Sequence, residues 1–156
     1  MSSTAAGSST REGGRPVVVV GVDGSEASKD ALRWAADYAA LVQVELRAVA
    51  AWQWPVSLGM AMPVPEDYNP LEDARLALEN TVSEVLGDSP SVPVTIDVVE
   101  GAPTLALVKE SDGAAVLVVG SRGHGGFAGL LLGSTSEHCA RHAPCPVVVV
   151  RHQEAG

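Results

Sequence analysis

Two patterns of apolar and polar positions alternate along the chain, and they predict strands separated by helices. Residues 17–22 and 114–120 are continuous apolar runs rich in valine, which is typical of strands buried on both faces of a parallel sheet. Apolar residues at three- and four-residue spacing predict an amphipathic helix over residues 26–42. The same reasoning predicts strands at 45–52, 92–99 and 147–150, and helices at 71–86, 104–110 and 134–142.

The order of these elements indicates the architecture. Strands that alternate with helices are joined by right-handed crossovers into a parallel sheet that is covered on both faces. We therefore expect an α/β protein with a five-stranded parallel doubly wound sheet in the order 3-2-1-4-5. Such sheets bind ligands beyond the carboxyl ends of their strands, where the strand order reverses. That point lies between the first and fourth strands, next to Asp23 and Gly120.

The length of 156 residues fits a single domain. We expect this domain to cover residues 16–152, with a flexible polar tail at 1–15 and a short tail at 153–156. Residues 53–70 contain four prolines and no periodicity, which predicts a long connection without regular structure.

Charge and composition exclude several kinds of partner. The net charge is −9 and only 10 residues are lysine or arginine, which argues against binding to nucleic acid or to anionic membranes. No apolar stretch approaches the roughly 20 residues that span a bilayer. Two cysteines and a first segment without the apolar centre of a signal peptide indicate a reducing compartment, and we expect a cytoplasmic protein.

Residues 120–136 form a glycine-rich run with the sequence GSRGHGGFAGLLLGSTS. Its glycines allow backbone N–H groups to converge without Cβ atoms in the way. Ser134, Thr135 and Ser136 then open a predicted helix, whose unpaired N–H groups and positive dipole end favour an anion. Because the whole chain is negative, local amides must hold any such anion. The run therefore predicts a phosphate site.

Three separated motifs carry a resemblance to a known family. They are the spacing Gly120-x2-Gly123-x9-Gly133-Ser134, the opening segment VVGVDGSEASKDALRWA and the closing segment RHAPCPVVVV. Together they resemble the ATP-binding members of the universal stress protein family over residues 16–151. The resemblance implies a Rossmann-like fold similar to the adenine nucleotide alpha hydrolases, and ATP as the ligand, with or without Mg²⁺.

Carried over residue by residue, the resemblance also implies a set of nucleotide-binding positions. Asp23 and its neighbours would border adenine and ribose, Val49 would line the adenine pocket, and the glycine-rich run would hold ribose and phosphates. The full set is Gly21, Val22, Asp23, Val49, Val119, Gly120, Ser121, Arg122, Gly123, His124, Gly125, Gly126, Gly133, Ser134, Thr135 and Ser136.

The function implied is that of a nucleotide-dependent stress-response module that has no catalytic residues and is read by an unidentified signalling partner. The alternative is a slow ATPase or an adenylate-handling enzyme of the related α/β class, although the signatures of those enzymes are missing. The apolar strand at 147–150 ends the predicted sheet, and exposed edges of this kind invite pairing. We therefore expect a homodimer through Val147–Val150, as the resemblance also implies.

Some residues keep two interpretations. His138 and His142 have the spacing of a metal-binding pair, and Cys139 and Cys145 are nearby in the sequence. The two histidines also suit the end of a helix, where the negative end of the dipole favours histidine. We expect no metal there. Trp52 and Trp54 could stack on adenine, yet packing is the preferred interpretation. Asp23 could contact a ribose hydroxyl, or accept hydrogen bonds at the start of the following helix, or do both.

Overall fold

The computed structural model describes residues 16–122 and 132–152. In chain order, its elements are β1 (Val17–Gly21), α1 (Glu26–Val42), β2 (Glu45–Trp52), β3 (Val56–Ser57), β4 (Met60–Ala61), α2 (Pro70–Leu86), β5 (Val94–Glu100), α3 (Pro103–Glu110), β6 (Val116–Gly120), α4 (Ser134–His142) and β7 (Val147–Val150). None of these helices is long and apolar enough to cross a membrane.

Five parallel strands form the main sheet in the order β5-β2-β1-β6-β7. When only these five are counted along the chain, the order is 3-2-1-4-5, and the predicted α/β fold class is confirmed. β3 and β4 do not belong to this sheet, because they pair with each other in a separate antiparallel hairpin. The strands of the main sheet therefore carry the labels β1, β2, β5, β6 and β7.

This hairpin corrects the expectation that residues 53–70 lack regular structure. Its two strands are joined through Leu58 and Gly59, which both have positive φ (52° and 79°). Positive φ at both central residues is the geometry that turns a two-residue hairpin tightly enough for its strands to pair. Leucine rarely adopts it, so the sequence gives little signal for the turn.

The valine run of β1 is buried on both faces of the sheet. Val18 and Val20 pack into a large cluster with Leu32 of α1, whereas Val19 packs into a second cluster with Leu107 of α3. Successive side chains of a strand point to opposite faces, so a strand covered on both sides must be apolar throughout. Helices α1 and α2 cover one face, and α3 and α4 cover the other.

Capping residues set the starts of α1 and α2. The Ser25 side chain accepts a hydrogen bond from the Ser28 amide, and the Asn69 side chain accepts one from the Glu72 amide. Pro70 occupies the first turn of α2, where its missing N–H costs nothing. The helix therefore begins one residue earlier than its apolar pattern predicts.

Candidate functional site

The carboxyl ends of β1 and β6 meet at the point where the strand order reverses. The two strands are parallel neighbours, with Val20 opposite Val118. The turn after Gly21 and the segment after Gly120 therefore leave the sheet side by side. Open parallel sheets bind ligands at this kind of edge.

Asp23 organises the turn between β1 and α1. Its Oδ1 accepts hydrogen bonds from the Ser25 amide (2.9 Å) and the Ser25 hydroxyl (2.6 Å). The Asp23 amide in turn donates to Oγ of Ser28 (3.3 Å), which itself donates to the Ser25 carbonyl (2.9 Å). Asp23 therefore accepts hydrogen bonds at the start of α1, which is one of the two roles predicted for it. Ser28 is a positioning residue that the sequence analysis missed, although its spacing from Ser25 is that of an N-terminal capping pattern.

A second network joins the ends of β6 and β7 to the start of α4. The Ser121 amide donates to the Val150 carbonyl (2.8 Å), and the Gly133 amide donates to the Ser121 carbonyl (2.6 Å). Oγ of Ser136 lies 3.2 and 3.1 Å from the carbonyl oxygens of Ser121 and Gly133. Ser136 is only 2% exposed. In this structure the Gly133 amide and the Ser136 hydroxyl therefore fix the position of α4, a role that differs from the predicted contact with phosphate.

The first turn of α4 begins at the same edge. Gly133 is the N-cap residue, and among the residues that the structure describes no side chain caps this helix, whereas side chains cap α1 and α2. Ser134 is exposed and Thr135 is half-buried. The first N–H groups of a helix have no partner within it, and together with the helix dipole they attract negative charge. Of the predicted phosphate-binding residues in the described part of the chain, these two are the best placed.

Gly21 and Gly120 owe their lack of a side chain to packing. A Cβ built on Gly120 would lie 2.7 Å from the carbonyl carbon and 2.8 Å from the carbonyl oxygen of Ala27 in α1. A Cβ built on Gly21 would lie 2.6 Å from Cδ1 of Leu107 in α3. Each glycine therefore lets a helix approach the sheet closely. This packing is sufficient to account for both glycines without a bound ligand.

The predicted apolar site residues are part of the core. Val22, Val49 and Val119 are 6%, 1% and 3% exposed, and the Val22 amide donates to the Val49 carbonyl (2.9 Å). Their side chains can support the floor of a site but offer almost no surface to a ligand. Arg122 is exposed at the carboxyl end of β6. Gly123, His124, Gly125 and Gly126 lie outside the described residues.

Trp52 at the end of β2 packs on Trp54, which in turn packs on Tyr68. The ring centres of Trp52 and Trp54 are 5.5 Å apart, and those of Trp54 and Tyr68 are 6.1 Å apart, both edge to face. Such offset aromatic contacts stabilise a connection between distant segments. The packing interpretation of Trp52 and Trp54 agrees with these contacts.

The two thiols are poor nucleophiles in this structure. Burial raises the pKa of Cys139 to about 11, and burial is also the main cause of a raised pKa at Cys145. Both sulfurs therefore stay protonated at neutral pH. Within residues 16–122 and 132–152, no group of three or more His, Cys, Asp or Glu side chains is arranged to hold a metal ion.

One charged cluster lies away from this edge, beneath the last turn of α3. Burial and the neighbouring Asp97 carboxylate raise the pKa of Glu110, and Arg47 opposes the shift from 3.8 Å. Arg47 is near the amino end of β2. Arg47 is level with Val19 of β1, and Asp97 is level with Val49 of β2, so the cluster lies under α3 on one face of the sheet and not in the turn at Asp23.

Taken together, these elements define a doubly wound α/β protein whose strand order reverses between β1 and β6 and whose helix α4 begins beside the ends of β6 and β7. A model of the universal stress protein family matches residues 15–151, and the chain belongs to this family. It is 39% identical to a universal stress protein of Mycobacterium tuberculosis over 140 residues, which are 86% of this chain and 44% of the relative. It is 36% identical to one of Mycolicibacterium smegmatis over 135 residues, 86% of this chain and 45% of the relative. The chain thus spans less than half the length of these relatives.

Solved structures show the same fold. A universal stress protein in complex with cAMP is 28% identical, with a TM-score of 0.62 over 89% of this chain and 98% of that one. The universal stress protein UspA from Lactobacillus plantarum is 22% identical, with a TM-score of 0.70 over 87% of this chain and 97% of that one.

Proposed function

We propose that this chain binds ATP at the edge between β1 and β6 and acts as a nucleotide-dependent signalling module of the cytoplasmic stress response. The observation that carries the proposal is the first turn of α4, which no side chain of the described residues caps and which Ser121, Gly133 and Ser136 fix beside the ends of β6 and β7. The complex of a 28% identical family member with cAMP, an adenine nucleotide, supports the choice of ligand class.

The phosphates and the polar groups of the nucleoside would each find a matching group at this edge. The amides and hydroxyls of Ser134 and Thr135 would donate to phosphate oxygens, and Mg²⁺ would be held chiefly by the phosphates themselves. The exposed carboxylate of Asp23 is an acceptor, which suits a ribose hydroxyl or the amino group of adenine and not a phosphate. The net charge of −9 opposes the ligand, so the local donors must supply the attraction.

The first test is a thermal unfolding series with and without Mg-ATP. A ligand that binds only the folded state stabilises it by RT ln(1 + [L]/Kd), which is about 2.7 kcal/mol at a hundredfold excess over Kd. We expect Tm to rise steadily with nucleotide concentration. Unchanged unfolding curves at millimolar Mg-ATP would contradict the proposal.

The variant Ser134→Asp tests where the phosphates lie. A carboxylate in the first turn favours the helix dipole, so the variant without ligand should be at least as stable as the parent. The same charge would repel a phosphate, and we expect the affinity for ATP to fall by about tenfold or more. Ser134→Asn is the neutral control, because asparagine has the shape of aspartate without its charge, and it should retain most of the rise in Tm with Mg-ATP. Equal ATP affinity in the two variants would place the phosphates elsewhere.

We further propose that the site holds ATP without turning it over. Timed analysis of the nucleotide in the same samples separates the two possibilities. Intact ATP after prolonged incubation supports the signalling module, whereas steady multiple turnover would favour the enzymatic alternative.

The partner that we propose for β7 is a second copy of the chain. β7 ends the sheet order, so one side of its backbone has no neighbouring strand within the described residues. The carbonyls of Pro146 and Val150 accept hydrogen bonds from the amides of Leu117 in β6 and of Ser121, which directly follows β6. Because backbone groups alternate in direction along a strand, those of Val147 and Val149 face the free edge. Two copies could pair there.

Val149→Pro should convert the dimer to a monomer while the fold is retained. Proline removes the outward N–H of residue 149 but leaves in place the hydrogen bonds that the carbonyls of Pro146 and Val150 accept. Edge strands tolerate proline at such outward positions. Sedimentation at micromolar concentration gives the mass, and Val149→Ala controls for the lost side chain because it keeps the N–H. A monomeric parent protein would refute the homodimer.

A further inference from the structure

His138 and His142 are two side chains of α4 that the proposed function does not use. They lie one helical turn apart, and their ring centres are 4.5 Å apart with the planes tilted by 43°. Contrary to the expectation from the sequence, we propose that these two imidazoles chelate a late first-row divalent metal ion, such as Ni²⁺ or Cu²⁺, on the surface of α4. The proposal is independent of nucleotide binding.

The separation of the rings favours a particular coordination geometry. A metal–imidazole bond of about 2.0–2.1 Å puts the ring centre about 3.2 Å from the metal. Two rings that meet one ion at a right angle then have centres about 4.5 Å apart, whereas a tetrahedral angle requires about 5.2 Å. The observed 4.5 Å matches the first of these separations, which is the one that square-planar or tetragonal Cu²⁺ or Ni²⁺ requires when each ring turns a nitrogen toward the ion.

The ring nitrogens of this pair are available. Within the described residues, the side chains of His138 and His142 make no hydrogen bond or ion pair, and their ring contact is with each other. His152 differs, because its Nδ1 lies 2.6 Å from Oδ2 of Asp30. His142 is exposed and His138 is half-buried, so solvent reaches the pair. A metal therefore displaces water and not a protein partner.

The surrounding charges also favour a cation. His142 is the last residue of α4, where the negative end of the helix dipole lies. Arg141, which is next to it, is paired with Glu137 at 3.4 Å, so its charge is partly neutralised. The net charge of the chain is −9. With two protein ligands, the other positions of the ion would be filled by water, which makes the site exchangeable.

The experiment is a calorimetric titration of the full chain, produced without a histidine tag, with NiCl₂ and then with CuCl₂. We expect one ion per chain, a tighter complex with Cu²⁺ than with Ni²⁺, and a metal-dependent rise in Tm. His142→Ala should weaken binding by about tenfold or more and remove the rise in Tm. The electron paramagnetic resonance spectrum of the Cu²⁺ complex should show two nitrogen ligands in the parent chain and fewer in the variant.

The other two histidines provide matched controls. His124→Ala and His152→Ala each remove one imidazole from outside the pair and should leave the affinity unchanged. His138→Ala should match His142→Ala, and if it unfolds, the exposed His142 still supplies the test. Absence of binding, or binding that survives His142→Ala, overturns the proposal. Equal loss in His152→Ala would show that binding depends on scattered imidazoles and would overturn it as well.

Discussion

Replacing Gly120 by alanine should lower the free energy of unfolding by about 3 kcal/mol, at the upper end of typical overpacking costs. The new Cβ would lie 2.7 Å from the carbonyl carbon of Ala27 and 2.8 Å from its oxygen. Both atoms belong to the backbone of α1, so no side-chain rotation can relieve the overlap. The whole first turn of α1 would have to move away from β6.

Urea denaturation of the variant measures this cost, and Gly21→Ala is its control. A Cβ on Gly21 meets only the end of the Leu107 side chain, which can change rotamer, so we expect a smaller loss of about 1 kcal/mol. Equal losses in the two variants would show that the helix backbone yields as readily as a leucine side chain, and would contradict our account of Gly120.

The packing role of Gly120 changes how the glycine motif is interpreted. Its spacing from Gly123 and Gly133 pointed to a phosphate site, yet the tight contact with Ala27 explains the first glycine without a ligand. A loss of ATP binding in Gly120→Ala would therefore not identify a phosphate contact, because the variant also disturbs α1. Ser134→Asp avoids this ambiguity, since Ser134 is exposed and a carboxylate there causes no steric strain.

The strands and their order could be predicted because burial on two faces leaves a direct mark on the sequence. Val17–Gly21 and Val116–Gly120 are apolar throughout because helices cover both sides of the sheet. The hairpin at Val56–Ser57 and Met60–Ala61 could not be predicted in the same way. It is short, and its turn begins with a leucine whose positive φ no propensity signals.

The site was predictable as a location but less so as a set of contacts. The motifs identified Asp23, which follows β1 at the switch point, and the start of α4, which lies beside the ends of β6 and β7. The sequence could not show that Ser136 points inwards while Ser134 is exposed, because all three residues from 134 to 136 carry hydroxyls. In the structure, Ser136 lies on the same face as the buried Cys139, three residues further along the helix.

Packing between residues that are distant along the chain is the part of the fold that sequence patterns do not predict. Leu107 of α3 fills the space that a side chain on Gly21 would need, although the two residues are far apart along the chain. No periodicity links them, because the fit depends on how α3 lies on the sheet. Only 6% of Leu107 is exposed, so it is also one of the main residues that attach α3 to the second core cluster.

Leu107→Ala should therefore destabilise the protein by about 3 kcal/mol, because truncating a buried leucine leaves a cavity. Adding Gly21→Ala to this variant should then cost nothing or recover part of the loss, since the new methyl group enters space that Cδ1 of Leu107 has left. The double-mutant cycle measured by urea denaturation should give a favourable coupling of about 1–2 kcal/mol. Additive effects would mean that the two positions do not share one volume, and that Gly21 is retained for some reason other than the approach of α3.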